Sequence, residues 1–378
     1  MTLMIFVNDL WTLKDIPLWL EHTSAMEDGM GLADTVFPAF LFITGMSIPL
    51  AVEQRRSKGD GDANILLHIL LRSVALLTMG LFLVNGEYLH ASATGISRQV
   101  WNVIACICFI FIWNKWPGNF PRKIALALQI ISVALLLILA WICRTGEGEN
   151  IGRFSTFWWG ILGLIGWAYF VTAMMYTWSR FKIPTMIMAW LLFVTLCIAS
   201  HSGWLPQWGW LRSILAPLGD GAMPALVSGG TVTTLIFLHL KSKNKPRNIF
   251  IFLCILGILM IASGLLMRNF WIISKILATP TWVFICSGIS ILVFLLVYLI
   301  ADVYGRAHWF ALIKPAGTQT LLCYLLPYFV YAIFIPIGIA LPNVLLSGYL
   351  GLVKSLAFSL LIVYTAGQIS KKGIRLKL

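Results

Sequence analysis

Charge is scarce in this chain. Asp, Glu, Lys and Arg make up 11% of its 378 residues, against 60% hydrophobic residues and a mean hydropathy of +0.89. Composition this poor in charge excludes a soluble globular domain. The sequence also lacks the strict polar–apolar alternation of a transmembrane β-barrel. What it has instead are uninterrupted apolar runs of about 20 residues, each able to cross the hydrocarbon core as a helix. Metal-type spacing is missing beyond the pair Cys106 and Cys108, and His201, His239 and His308 are scattered with no partner one turn away. No metal or haem is therefore expected, and the seven cysteines read as small packing residues within apolar segments. Internal repeats, inverted symmetry and loops long enough for a separate soluble domain are absent as well, so any site must be built from spans and their connections. A positively charged leader with a cleavage site is also lacking, so no signal peptide is expected.

The runs give twelve candidate spans, at about 1–12, 32–53, 65–85, 99–114, 124–143, 157–178, 183–200, 222–240, 248–267, 281–301, 319–341 and 347–367. The first covers only roughly 18 Å of a 30 Å core, and the expectation is that part of it is missing at its N-terminus. The net charge of +13 sits in short loops and reads as a topology signal, not a nucleic-acid surface. Eighteen Lys and Arg, Arg180 and Lys245 among them, fall on one side of the alternating loops, and seven, including Arg212, on the other. Both termini should then be cytoplasmic, with the loop carrying His22 facing outward.

Polar groups cluster where lipid should meet water. Asn8 and Asp9 close the first span, and His22 follows an apolar linker containing Trp11, Pro17, Leu18, Trp19 and Leu20 that should lie along the interface. His22 is either a general base, with the Asn8 amide orienting a substrate, or an interfacial histidine bonded to loop backbone. Asp34 either caps the second span or orients His22. Pro38 should kink that span and leave backbone for neighbours to satisfy. Arg72, with His68 one turn before it on the same face, either snorkels or meets a phosphate-bearing cytosolic donor. Asn85, Glu87, Arg98, Asn102 and Asp220 suggest an outer polar vestibule, Gln319 lies in span eleven, and Lys354 is a midspan oddity that snorkels.

The run ADTVFPAFLFITGMSI at residues 33–48 resembles the signature of transmembrane acyltransferases related to heparan-alpha-glucosaminide N-acetyltransferase, and looks closest to their bacterial members. Similarity recurs at Leu71–Arg72–Ser73, at Ile300 to Gly305 and from Pro315 to Tyr324, and is weakest over residues 124–215. Gln319 stands where that family usually has asparagine. The resemblance implies Asn8 and His22 as the catalytic pair. It also implies acetyl-CoA as co-substrate and a sugar or glycan amine or hydroxyl as acceptor across the membrane. The resulting expectation is an all-α, polytopic membrane helix bundle of about 12 spans in a single domain, residues 1–378, in a bacterial inner membrane. Asp34 joins the catalytic residues, and His68 and Arg72 bind the co-substrate. The expected partners are acetyl-CoA, the acceptor and the lipid bilayer, with a homodimer left open and nucleic acid excluded. A transporter or flippase for a sugar or glycolipid, and a noncatalytic scaffold, are the alternative readings.

Overall fold

The computed structural model describes the chain apart from residues 147–149, 180–181, 205–215, 244–245, 338–340 and 378, and apart from the side chains of 246 and 335–337. Arg180, Arg212 and Lys245 of the charge count therefore lie outside the described residues.

The described chain is helical, with a helix at each of the twelve expected positions. These are α1 (Thr2–Asp9), α2 (Leu32–Ser57), α3 (Asp62–Glu87), α4 (Arg98–Trp113), α5 (Arg122–Ile142), α6 (Ile161–Trp178), α7 (Ile183–His201), α8 (Ala222–Ser242), α9 (Pro246–Met267), α10 (Pro280–Tyr298), α11 (Thr320–Ile337) and α12 (Gly348–Lys371). Among the described residues nine are long and apolar enough to cross a membrane, against the twelve expected. Of the other three, α4 has 16 residues and α1 has eight, and α11 has described side chains only through Phe334. This architecture fits a polytopic helical membrane protein.

The chain parts into two compact units. The first comprises Met1–Pro17, Thr78–Ile161 and Trp309–Leu378, and the second Leu18–Leu77 and Leu162–His308.

In the first unit, α4 starts on Ser97, whose hydroxyl accepts the Val100 N–H, and the buried Trp101 indole donates to Phe82 O at 2.9 Å. The two-residue strands β1 (Arg144–Thr145) and β2 (Gly152–Arg153) pair antiparallel. Asn85, buried, donates to Ser155 O and accepts from Ser155 N, so its amide pins the loop beside β2 and serves structure. The expected membrane-lying linker begins on Trp11, which is exposed.

The second unit is organised around α2. This helix runs through both Pro38 and Pro49, and each proline, having no N–H, frees the carbonyl four residues earlier. Those carbonyls are Asp34 O and Gly45 O, and both find donors: Trp282 Nε1 from α10 at 3.1 Å and Thr231 Oγ1 from α8 at 3.0 Å. α2 and α8 touch closely enough that a Cβ on Gly45 would come within 1.8 Å of Val227 O, and one on Gly230 within 2.0 Å of Phe42 O. Small residues let membrane helix backbones approach in this way. Thr234 Oγ1 adds a bond to Met46 O at 3.0 Å. Of the linker residues in this unit, Leu18 and Trp19 are exposed, as an interfacial segment requires, whereas Leu20 is buried.

Candidate functional site

Asp34 is the third residue of α2 and is fully buried. Its Oδ2 accepts the Gly31 N–H at 3.1 Å, which caps the helix, and also the Thr23 N–H at 3.0 Å and the Thr23 hydroxyl at 3.1 Å. Oδ1 is left for His22, whose Nδ1 lies 2.7 Å away. A carboxylate can only accept there, so Nδ1–H donates to Asp34 and Nε2 is the ring nitrogen left for another partner. The His22 side chain is 47% exposed and its partner 1%. Both readings of Asp34 are thus realised in one side chain: one oxygen caps the helix and the loop, and the other orients the imidazole.

Lys275, in the loop after α9, completes this cluster. Its Nζ lies 3.1 Å from His22 Nδ1 and 3.7 Å from Asp34 Oδ1, with the side chain 25% exposed. The Nδ1 proton is committed to Asp34, so the ammonium acts on the pair through its charge. Burial pulls the Lys275 ammonium below its ordinary value, and the Asp34 carboxylate opposes that pull. The loop is fastened by Asp28, which accepts the Ile273 N–H at 2.8 Å and pairs with Arg268 at 2.8 Å, and by Ser274, which donates to Ala25 O at 2.9 Å. From sequence Lys275 was one more outer-loop cation, and nothing in its surroundings there singles it out.

His68 and Arg72 also belong to the second unit. Arg72 lies over the Tyr169 ring, 4.7 Å from its centroid, with its Nε buried and unpartnered. The charges around His68 are Arg55, Arg72 and Asp60, and Arg55 is paired with Asp60 at 3.0 Å. The face is net basic.

In the first unit, Asn8 lines a cavity of about 490 Å³ together with Glu87, Arg98 and Asn102 and the rings of Trp11, Tyr324, Tyr328 and Tyr331. Its neighbour Asp9 is buried and accepts three bonds: from the Tyr331 hydroxyl at 2.7 Å, the Ser355 hydroxyl at 2.6 Å and Lys354 Nζ at 2.8 Å. Lys354 also donates to Thr12 Oγ1 at 2.8 Å. The snorkelling expected of Lys354 is corrected here, because a buried carboxylate within reach satisfies the ammonium better than a stretch to the interface. A lone acid in the first span and a lone base in the last were the sequence signal for this pair. Gln319 lies just before α11 with a buried, unpartnered Oε1.

A family model described as a domain of unknown function, DUF5009, matches residues 18–208. That stretch holds His22, Asp34, His68 and Arg72, and includes most of the region where the acyltransferase resemblance is weakest. Heparan-alpha-glucosaminide N-acetyltransferase of Mus musculus is 35% identical over 92 residues, which is 23% of this chain and 13% of the mouse protein. The chain is therefore similar to a small part of that enzyme's length.

Proposed function

The chain belongs to the DUF5009 family, and from that membership and its partial likeness to an N-acetyltransferase we propose that it is a membrane acyltransferase. In this reading it moves an acetyl group from cytosolic acetyl-CoA to an amine or hydroxyl of a sugar or glycan on the far side of the membrane. The observation that carries the reading is the His22–Asp34 bond at 2.7 Å, which leaves an exposed imidazole with a fixed tautomer.

Two routes use this geometry. In the first, Nε2 attacks the thioester carbonyl, the C–S bond breaks, and sulfur leaves as the CoA thiolate. The resulting acyl-imidazolium keeps its Nδ1 proton against Asp34. The acceptor then attacks the acyl carbon, the N–C bond breaks, and the acceptor's proton passes to the thiolate. In the second, Nε2 takes the acceptor's proton as the acceptor attacks the thioester directly, and hands it to the leaving sulfur. Asn8 is assigned an orienting or oxyanion-stabilising role from the family resemblance, and Arg72 and His68 a contact with the co-substrate phosphates, for which their net basic surroundings are suited. Asn8 and His22 fall in different compact units, and each role is assigned from that residue's own surroundings.

The test is single-turnover incubation with acyl-labelled acetyl-CoA. Label on His22 in the wild-type protein and none in His22→Ala supports the covalent route. Transfer to a sugar without trapped label selects direct attack. Absence of both, with no stabilisation of the protein by millimolar CoA, ends the acyltransferase reading in favour of a transporter.

A further inference from the structure

His201 closes α7 and has a carbonyl oxygen at each of its two ring nitrogens. Nδ1 lies 2.9 Å from Cys197 O, one turn back in the same helix, and Nε2 lies 3.0 Å from Leu277 O, in the loop after α9. A carbonyl oxygen only accepts, so the two bonds form together only when both nitrogens carry protons, as in the imidazolium. A cation in the last turn of a helix also suits the partial negative charge at that end. Cys197 Sγ lies 4.0 Å from Nδ1 but closer to Ala278 O, at 3.7 Å, so a second, weaker bond from α7 falls on the same loop.

That loop is the one that delivers Lys275. Lys275 to Ala278 form a tight turn: the Ala278 N–H donates to Lys275 O at 3.1 Å, the Thr279 N–H to Ser274 O at 3.1 Å and the Leu277 N–H to Ser274 Oγ at 3.3 Å. Ala278 has a φ of 53°, a left-handed conformation that its surroundings must hold. From this turn Lys275 Nζ reaches His22 Nδ1 at 3.1 Å and Asp34 Oδ1 at 3.7 Å. The loop is fastened at two places. Upstream, Asp28 and Ser274 tie it to the segment that follows His22. Downstream, His201 and Cys197 tie it to α7. Of the side-chain types in these fastenings, histidine is the one whose charge changes near neutrality.

We propose that His201 is a positioning residue and a proton-dependent latch: as the imidazolium it ties α7 to the turn Lys275–Ala278 and so holds the Lys275 ammonium against His22 and Asp34. Loss of either proton leaves a bare nitrogen facing a carbonyl oxygen at about 3 Å, and the ring then relaxes by turning, which opens the bond to Leu277. Among the described residues, the titratable groups around the ring are Cys197 on α7, Lys275 on the latched turn, and Asp220, which lies in the segment packed on α7 and acts on Cys197 through its charge. The latch stands on geometry alone, and its effect on acyl transfer rests on the acyltransferase reading.

The experiment is hydrogen exchange on the full chain in nanodiscs at about pH 6 and about pH 8.5, either side of the histidine range, with rates corrected for the intrinsic pH dependence of exchange. The amides of Leu277, Ala278 and Thr279 should be about tenfold better protected at the lower pH, because a bond from a charged donor is lost at the higher. Nitrogen NMR of isotope-labelled histidines should show both His201 ring nitrogens protonated at the lower pH, the signal being the one missing from His201→Phe. His201→Phe should lose the pH step in protection and Lys275→Met should keep it, since the step belongs to the latch and not to the ammonium. Equal protection of the wild-type protein at both pH values, a single protonated ring nitrogen at the lower pH, or a step that survives in His201→Phe or vanishes in Lys275→Met overturns the inference. Acetyl transfer by the same preparations separates latch from enzyme. The ratio of wild-type to His201→Phe kcat/KM should be about tenfold at the lower pH and approach one at the higher. A ratio that does not change with pH removes the positioning role. A pH step in protection with no transfer by any preparation keeps the latch and ends the acyltransferase reading.

Discussion

At His22 a side chain with two nitrogens has one of them fully spoken for. Asp34 holds Nδ1–H at 2.7 Å, and Asp34 is itself held by Gly31 N and by both donors of Thr23. Asp34→Asn keeps the shape but offers an amide that can accept from Nδ1 only through its oxygen and presents a donor as its alternative. Acyl transfer should fall by about 10²- to 10⁴-fold while the protein remains folded, checked by steady-state rates beside a melting curve. Lys275→Met removes the cation 3.1 Å from Nδ1 and should lower transfer by about tenfold, with Lys275→Arg recovering part of it, because the arrangement needs charge at that point more than a given donor. The approach of Asp34 to His22 was one of the two readings the sequence offered for Asp34, because a polar residue at the start of a span is conspicuous in such a chain. Lys275 was not legible, since a lysine in an outer loop is ordinary until the loop's path brings it to a residue 253 positions away.

Helices here are joined by a few polar contacts whose energies are not additive. Asp9 on α1 and Lys354 on α12 form a buried pair at 2.8 Å. Breaking such a pair from one side leaves a charge unanswered, so Lys354→Met should destabilise by about 3 kcal/mol or more. The double variant Asp9→Asn/Lys354→Met should recover most of that, and a double-variant cycle of melting temperatures measures the difference. The loop after α9 gives a pH test. Asp28 has its carboxyl held below the ordinary 3.8 by the Ile273 N–H first and then by Arg268. The unfolded chain therefore takes up that proton before the folded one does. The stabilisation is present above 3.8 and is lost as pH falls through the lower folded value. Because the side chain is 36% exposed, its size is below about 1 kcal/mol. Asp28→Asn should flatten the acid limb of stability between pH 5 and pH 2, roughly the window in which such a carboxyl titrates. At this scale the sequence located all twelve helices, since apolar length is a strong signal, but it ran the first of them past its end. Residues 1–12 break after Asp9, where the chain turns into a one-turn 3₁₀ segment, Leu10–Thr12, that hydropathy does not distinguish from continued helix.

For the whole molecule the central prediction concerns the co-substrate. If the chain uses acetyl-CoA, CoA at about a hundred times its dissociation constant should stabilise the purified protein by about 2.7 kcal/mol, read as a rise in melting temperature. Arg72→Ala should reduce that rise, and Glu87→Gln should leave it unchanged. Membrane class was plain from composition alone, because nothing else tolerates 11% charge at this hydropathy. The contacts that organise each unit were not legible. They join residues far apart in the chain, such as Gly45 with Thr231 and Asp9 with Lys354, and no local pattern announces such partners.

The two prolines of α2 have a consequence for synthesis. Their freed carbonyls, at Asp34 and Gly45, are answered by side chains at Trp282 and Thr231, which the ribosome reaches some 190 to 250 residues later. Until then both acceptors lack these donors, and Gly45 O, fourteen residues into the helix, is the one that is costly to leave open in hydrocarbon. The helix that carries Asp34 is therefore incomplete by itself, and it becomes a settled part of the protein only when the chain has been made as far as α10.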